Sequence, residues 1–268
     1  MKILFFGDIV GKISRSAISK VLPELKKKHQ PDLILANAEN LAHGKGVTEK
    51  TLQEMMEAGI SAFTSGNHFY KKEDLSGKKF PLVRPANYPV GVPGREYLKI
   101  EITPRQARGK IKNVYIFNFM GRVFIREDFD CPFRKFDELY KLLKIKKNDI
   151  LIIDFHAEAT SEKNAFGFYA DGRASVVLGT HTHIPTADEK ILPNGTGYIT
   201  DVGMVGPADS VLGVKKEIII ETFLTQMNKA HDIPEKGEVV VNAVLVNIDN
   251  KTGRCNDIKR VSKNILIK

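Results

Sequence analysis

Short apolar runs recur along the chain, and each stops abruptly at polar residues. Ile3 to Phe6 ends at Gly7-Asp8, Leu33 to Ala36 at Asn37-Ala38-Glu39-Asn40, and Ala62 to Thr64 at Ser65-Gly66-Asn67-His68. Ile150 to Ile153 ends at Asp154-Phe155-His156, and Ala174 to Leu178 at Gly179-Thr180-His181-Thr182-His183. Continuous apolar runs of this length, bounded by polar or glycine residues, read as strands buried on both faces. Between them the spacing changes. After Gly11, Ile18, Val21, Leu22 and Leu25 recur at helical intervals and lead into Lys26-Lys27-Lys28. Thr48 is placed to cap a helix running to about Ala58. Further helices are predicted near Phe136 to Leu143, over Ser161 to Tyr169, and, with an amphipathic face, over Val214 to Met227.

The alternation of strand and helix predicts an α/β fold. From Pro81 to Ile125 the pattern shifts to Pro- and Gly-rich turns around the strand-like runs Tyr97 to Ile102 and Asn113 to Phe119, which marks a switch to a second sheet. Pro193-Asn194-Gly195 is a turn between two short strands, and Thr200 to Met204 resembles another strand end. From Glu238 the chain alternates in strand fashion to Asp249, turns through Gly253 and ends in a last strand. With no repeat, low-complexity segment or linker, residues 1–268 read as one domain.

Composition adds little to the fold but narrows the function. Hydrophobic residues at 42% suffice for a substantial core. The net charge of +9, from 41 Lys and Arg against 32 Asp and Glu, favours anionic ligands without singling out nucleic acid. Its densest runs, Lys26 to Lys28 and Lys144 to Lys147, fall at predicted helix ends, where they complement the dipole. Cys131 and Cys255 have neither metal-type spacing nor a partner framework, which fits a reducing cytoplasm. The apolar start is cut short by Gly7-Asp8, and no later run approaches a membrane span, so a soluble protein without membrane attachment is expected.

The chemistry concentrates at the strand ends. His181 and His183, at i and i+2 on an extended segment, project to one side of the chain. Asp8, Glu39, Asn40, Asn67 and His156 lie at the same kind of junction, where open α/β sheets place their sites. Each alone has an ordinary structural reading: Asp8 as a helix cap, Asn40 or Asn67 as a turn stabiliser, His156 as a satisfied core histidine. Seven mixed oxygen and nitrogen donors together exceed what one tetrahedral zinc needs and suit two divalent metals sharing a carboxylate. Such a pair lowers the pKa of a bridging water and neutralises phosphoryl oxygens, which makes phosphate ester hydrolysis its natural use.

Gly7-Asp8, Asn37 to Asn40, Gly66-Asn67-His68, His156 and Gly179 to His183 resemble the ordered motif set of the calcineurin-like metallophosphoesterases. More closely, the run Asp154 to Lys163 and the loop through Pro185-Thr186-Ala187-Asp188 resemble the YmdB-type bacterial cyclic-nucleotide phosphodiesterases, over nearly the whole chain. The resemblance implies a four-layer αββα sandwich, two facing mixed sheets flanked by helices, with the metals at the edge of the sheets. It assigns a first metal to Asp8, Asn40 and His183, a second to Asn67, His156 and His181, and the bridge to Glu39. Iron or manganese is the implied metal, and homo-oligomers the implied assembly. The implied activity is hydrolysis of 2',3'-cyclic nucleotides, with 3',5'-cyclic AMP and simple aryl phosphodiesters also accepted.

The chain departs from these patterns in two places. The wider superfamily has Asp-x-His after its first strand, whereas Val10 stands here, and Asn40 is expected to replace the imidazole. Phe69-Tyr70-Lys71 stands where the closer group has Thr-Trp-Asp, which bears on substrate preference. His68 is the expected proton donor to the leaving oxygen, and His43 a contact to phosphate or to a carboxylate behind the metals. The competing readings are a phosphomonoesterase or nuclease using the same metals, and an RNA-associated regulatory protein acting by binding alone.

Overall fold

The computed structural model describes residues 1–75, 77–105 and 109–268. In chain order the elements are β1 (Lys2–Phe6), α1 (Gly11–His29), β2 (Leu33–Asn37), α2 (Glu49–Ala58), β3 (Ala62–Thr64), β4 (Tyr97–Ile102), β5 (Lys112–Met120) and α3 (Pro132–Leu142). There follow β6 (Ile150–His156), α4 (Thr160–Ala170), β7 (Val176–Thr180), β8 (Lys190–Ile191), β9 (Gly197–Ile199), β10 (Val205–Pro207), α5 (Lys216–Thr225), β11 (Gly237–Ile248) and β12 (Cys255–Ile267).

The first sheet is centred on β1, which pairs in parallel with β2 and antiparallel with β11; β3 extends it beyond β2. Along one edge of β11 lies β12 over nearly its full length, so β10 and β1 share the other edge end to end. The second sheet runs β4-β5-β6-β7-β9-β8, with β5, β6, β7 and β9 parallel and an antiparallel strand at each side.

Alternation along the strands sorts side chains into three apolar layers. Ile3 and Phe5 of β1 meet Ile116, Ile152 and Leu178 of the opposite sheet. Leu4 and Phe6 turn the other way, onto Ile18, Leu22 and Leu52 of α1 and α2. Phe117, Ile153 and Phe155 face Phe136 of α3 and Phe166 of α4. Two sheets with one inner and two outer apolar layers give the expected four-layer αββα sandwich. On its second-sheet side Phe166 stacks on Phe155 at 4.3 Å, anchoring α4 beside the end of β6.

Local chemistry sets the ends of these helices. Thr48 caps α2 in a reciprocal box with Thr51, as its position predicted, and Gly59 stops the helix at a left-handed φ of 112°. The lysine run lies in the last turn of α1, where Gln30 takes the left-handed cap. Two expectations are corrected. The helix predicted over Val214 to Met227 is shorter, and none of its residues is fully buried; its apolar side is only half-covered, at Ile218 and Ile219. The short β10 was not predicted; with only three residues, it owes its pairing to β11 rather than to its own pattern. Among the described residues no helix is long and apolar enough to cross a membrane.

Candidate metal centre

The carboxyl ends of β1, β2, β3, β6 and β7 converge where the two sheets face each other. Glu39, His156 and His181 form the tightest group, with candidate donor atoms all within 4.8 Å of one another. His156 Nε2 lies 3.1 Å from Glu39 Oε2 and 3.0 Å from His181 Nδ1. Close approach here requires Gly66, since a Cβ at that position would fall 2.5 Å from His156 Nε2 and nearer still to Glu39 Oε2.

A second group adjoins it. His183 Nε2 is 3.2 Å from Asn40 Nδ2 and 4.0 Å from Asp8 Oδ1, while Asn40 also reaches Glu39 Oε1 at 3.3 Å. Asp8 sits between the groups: its Oδ2 accepts from the His181 backbone N–H at 3.2 Å, and its Oδ1 lies 3.8 Å from His156 Nδ1. His68 Nδ1 is within 3.3 Å of both Asn40 Oδ1 and Glu39 Oε1. Val10 is buried and apolar and offers no donor.

Donor chemistry and the remaining atoms fit divalent cations. Asp8 Oδ1 and Asn67 Oδ1 are buried without any hydrogen-bond partner in the chain, an expensive arrangement unless something else takes them up. Each histidine has one ring nitrogen occupied elsewhere. His183 Nδ1 donates to the Leu212 carbonyl at 2.9 Å, which leaves Nε2 with a free lone pair. The Thr180 hydroxyl donates to Asp154 Oδ1 at 2.6 Å and so accepts from His156 Nδ1 at 2.8 Å. His181 Nε2 is 3.3 Å from Glu158 Oε2, turning Nδ1 inward. Outer partners of this kind orient imidazoles toward a metal.

Burial raises the Asp8 carboxyl above the usual range, although His183 and His156 oppose the shift. Burial would raise Glu39 too, yet His156 and His68 outweigh it and hold this carboxyl well below the ordinary value. His156 is the counterpart: burial lowers it, but Glu39, then Asp8 and Asp154, bring it up to about 9. Burial, reinforced by His156, brings His181 down to about 3, so its ring is neutral. Without a cation, the Nε2 proton of His156 supplies the positive charge beside Glu39.

The histidine loop is strained and firmly held. His181 and His183 are not extended as their spacing suggested: β7 ends at Thr180, and they have φ of 99° and 66°, values that cost a non-glycine residue on the order of 1–3 kcal/mol each. Beneath them Lys163, almost fully buried, donates to the Thr180 carbonyl at 2.8 Å and to Asp201 at 2.6 Å. Asp201 also accepts from the backbone and hydroxyl of Thr182 at 3.1 and 2.8 Å. Lys163, Asp201, Thr180, Asp154 and Glu158 were given no individual role in the sequence reading. Neither was Asn37, whose side chain donates to Asp154 Oδ2 and to the Ser65 carbonyl, both at 2.9 Å.

Cavities open on either side. One, of about 480 Å³, is lined by His43, Lys45, His68, Lys72, His183 and Lys229 among others. The other, of about 310 Å³, is lined by Asn67, His68, Lys71, Phe124, Arg126 and His181 among others. His43 therefore faces the approach to the cluster rather than joining it. Of the divergent trio, Phe69 is in the core and Tyr70 joins an edge-to-face row with Phe69 and Tyr88. Only Lys71 of the three reaches the smaller cavity.

A family model described as YmdB-like protein matches residues 4–261. The chain is 45% identical to the 2',3'-cyclic-nucleotide 2'-phosphodiesterase of Bacillus subtilis (strain 168), over 97% of this chain and 96% of that protein. It is similar to the crystal structure of a novel phosphatase from Mycoplasma pneumoniae, with TM-score 0.89, 36% identity and coverage of 98% and 93% of the two chains. The calcineurin-like phosphoesterase YfkN of Bacillus subtilis shares the fold, at TM-score 0.58 and 13% identity over 98% and 90%.

Proposed function

Because the chain belongs to the YmdB-like protein family, we propose that it hydrolyses 2',3'-cyclic nucleotides at a centre of two divalent metals, iron or manganese, with 3',5'-cyclic AMP as a further substrate. It is a phosphodiester hydrolase. The observation that carries the two-metal reading is the meeting of Glu39, His156 and His181 beside two buried oxygens, on Asp8 and Asn67, that have no partner in the chain. Asp8, Asn40 and His183 would hold one ion, Asn67, His156 and His181 the other, and Glu39 both. When bound, such ions supply charge neutralisation at the phosphoryl oxygens and an activated water.

The chain's own groups do the rest. Asn40 aims its amide nitrogen at His183 and its oxygen at His68, so a half-turn of the amide would present the oxygen to a cation. His68 Nδ1 is engaged by Glu39 and Asn40, which leaves Nε2 as the atom to pass a proton toward either cavity. Water adds to phosphorus and gives up a proton, the bond to the 2'-oxygen breaks, and that oxygen takes a proton from His68, which the proton shed by the water restores, leaving a 3'-phosphomonoester. We further read residues 1–268 as a single catalytic domain, active as a cytoplasmic homo-oligomer. The two free cysteines support a reducing compartment, and light scattering of the metal-loaded protein tests the assembly.

The deciding experiment is turnover of 2',3'-cyclic AMP and bis-p-nitrophenyl phosphate by protein loaded with Mn²⁺ or Fe²⁺, with metal content measured on the same sample. Turnover of both, abolished by chelation, is expected. A protein that retains RNA in a salt-dependent way and hydrolyses neither ester is a binding protein instead.

A further inference from the structure

The loop joining β5 to α3 carries Phe124 at its tip. The ring is 86% exposed, on a backbone with φ of 62°. A bulky residue rarely holds a left-handed backbone, and an aromatic side chain gains nothing by standing in water. Yet the turn beneath it is firmly pinned. The buried carboxylate of Glu162, in the first turn of α4, accepts from the backbone N–H of Arg122 at 2.9 Å and of Val123 at 3.1 Å. Gly121 N–H donates to the carbonyl of His156 at 3.0 Å. The ring is thereby tied to the strand that ends in a candidate metal ligand.

Phe124 lines the cavity of about 310 Å³ that also contains Asn67, His68 and His181. Lys45, Lys71 and Arg126 line it too, against the single carboxylate of Glu127. The same space is therefore lined by residues of the candidate metal centre, by cationic side chains that suit an anionic group, and by one flat aromatic face. The larger neighbouring cavity is lined by no Phe or Tyr. We propose that Phe124 is the platform on which the substrate's nucleobase stacks while its phosphate lies at the Glu39–His156–His181 cluster. This rests on the nucleotide phosphodiesterase reading above and adds a specificity determinant to it. Stacking on a π-face tolerates any base, so the platform selects nucleotides over base-free phosphodiesters and favours the larger purines over pyrimidines.

The test compares 2',3'-cyclic AMP with glycerol 1,2-cyclic phosphate, which keeps the five-membered cyclic diester and lacks the base. The quantity read is the ratio of kcat/KM for the two substrates, using metal-loaded protein. Phe124→Gly removes the ring at a backbone geometry that glycine prefers, so the turn is retained. The ratio should fall roughly 5- to 100-fold in Phe124→Gly, chiefly through KM for the nucleotide, and stay near the unsubstituted value in Phe124→Tyr. A ratio unchanged in Phe124→Gly, or equal losses on both substrates, overturns the platform while leaving the phosphodiesterase reading intact. Failure of the unsubstituted protein to hydrolyse either diester overturns both.

Discussion

The two sheets bring different chemistry to the edge they share. After β1, β2 and β3 the first sheet presents oxygen, from Asp8, Glu39, Asn40 and Asn67. The second presents nitrogen, from His156 at the end of β6 and from His181 and His183 after β7. The halves are also held differently. The oxygens are buried and in part unpartnered, so they create a demand for positive charge. The imidazoles are oriented from behind by Thr180, Glu158 and the Leu212 carbonyl, so they are already aimed before any cation arrives. One half supplies charge and the other supplies direction, which is why neither sheet alone would form the site.

Removing a donor from the directing half should have the largest effect. His181→Ala is expected to lower kcat on the order of 10³-fold or more, because the lost charge stabilisation at phosphorus is worth several kcal/mol, and to lower bound metal. Circular dichroism should show an intact fold. Two retained ions with near-normal turnover would remove His181 from the ligand set.

His68 touches the oxygen half, but the role proposed for it is proton donation rather than metal binding. General acid catalysis contributes about 10²- to 10⁴-fold, so His68→Ala should lose a factor of that order on 2',3'-cyclic nucleotides, whose leaving group is an alkoxide. It should lose far less on p-nitrophenyl esters, whose leaving group needs little help, at unchanged metal content. Equal losses on both would assign His68 to phosphate binding instead.

Thr180→Val tests the orientation argument with little change in volume. It deprives His156 Nδ1 of its acceptor and Asp154 of a donor, so metal affinity or activity should fall about 10- to 100-fold, the usual consequence of losing an outer partner. Titration with Mn²⁺ measures it. Unchanged affinity would mean that β6 packing alone aims the ring.

The most gradual effect, and the most diagnostic of where the halves meet, is on pH. His156 has its pKa brought up to about 9 against an ordinary 6.5. Its protonated pairing with Glu39 therefore stabilises the metal-free fold fully below pH 6.5, and that contribution is lost as pH rises through 9. Metal binding runs the opposite way, since the ion must displace the Nε2 proton. Apparent Mn²⁺ affinity should rise about tenfold per pH unit between roughly 6.5 and 9 and level off above it. Flat affinity over that range would show that His156 is not protonated beside Glu39.

The oxygen half and the histidine pair were legible in the sequence because each apolar run ends sharply at a polar residue. Asp8 after Phe6 and His181 after Leu178 stand out by contrast. Supporting residues do not stand out. Asp154 and Asn37 sit at strand ends among candidate ligands, yet they are 117 positions apart, and their pairing is one only the fold creates. Lys163 fell in the helix predicted over Ser161 to Tyr169 with no role of its own, and its burial against Asp201 depends on the crossing of α4 over β7 and the following loop. Phe124 was hidden for another reason. Its exposure is a property of the turn, and an aromatic residue in a mixed segment reads as core. In α5, the apolar spacing predicted a helix correctly but gave no information on whether a neighbour covers it.

The position of β11 bears on how the protein is made. β1 leaves the ribosome long before β11, so one of its two edges waits for residues 243–247. At ordinary elongation rates that interval is roughly 12 to 50 s. During it the nascent chain exposes an apolar strand edge, next to the very segment that carries Asp8, and unpaired edges of this kind invite association with other chains. A chain cut before residue 237 would keep every proposed metal ligand and still lack the strand that completes the first sheet. Ordering of the segment that carries Asp8 is thus tied to the arrival of β11.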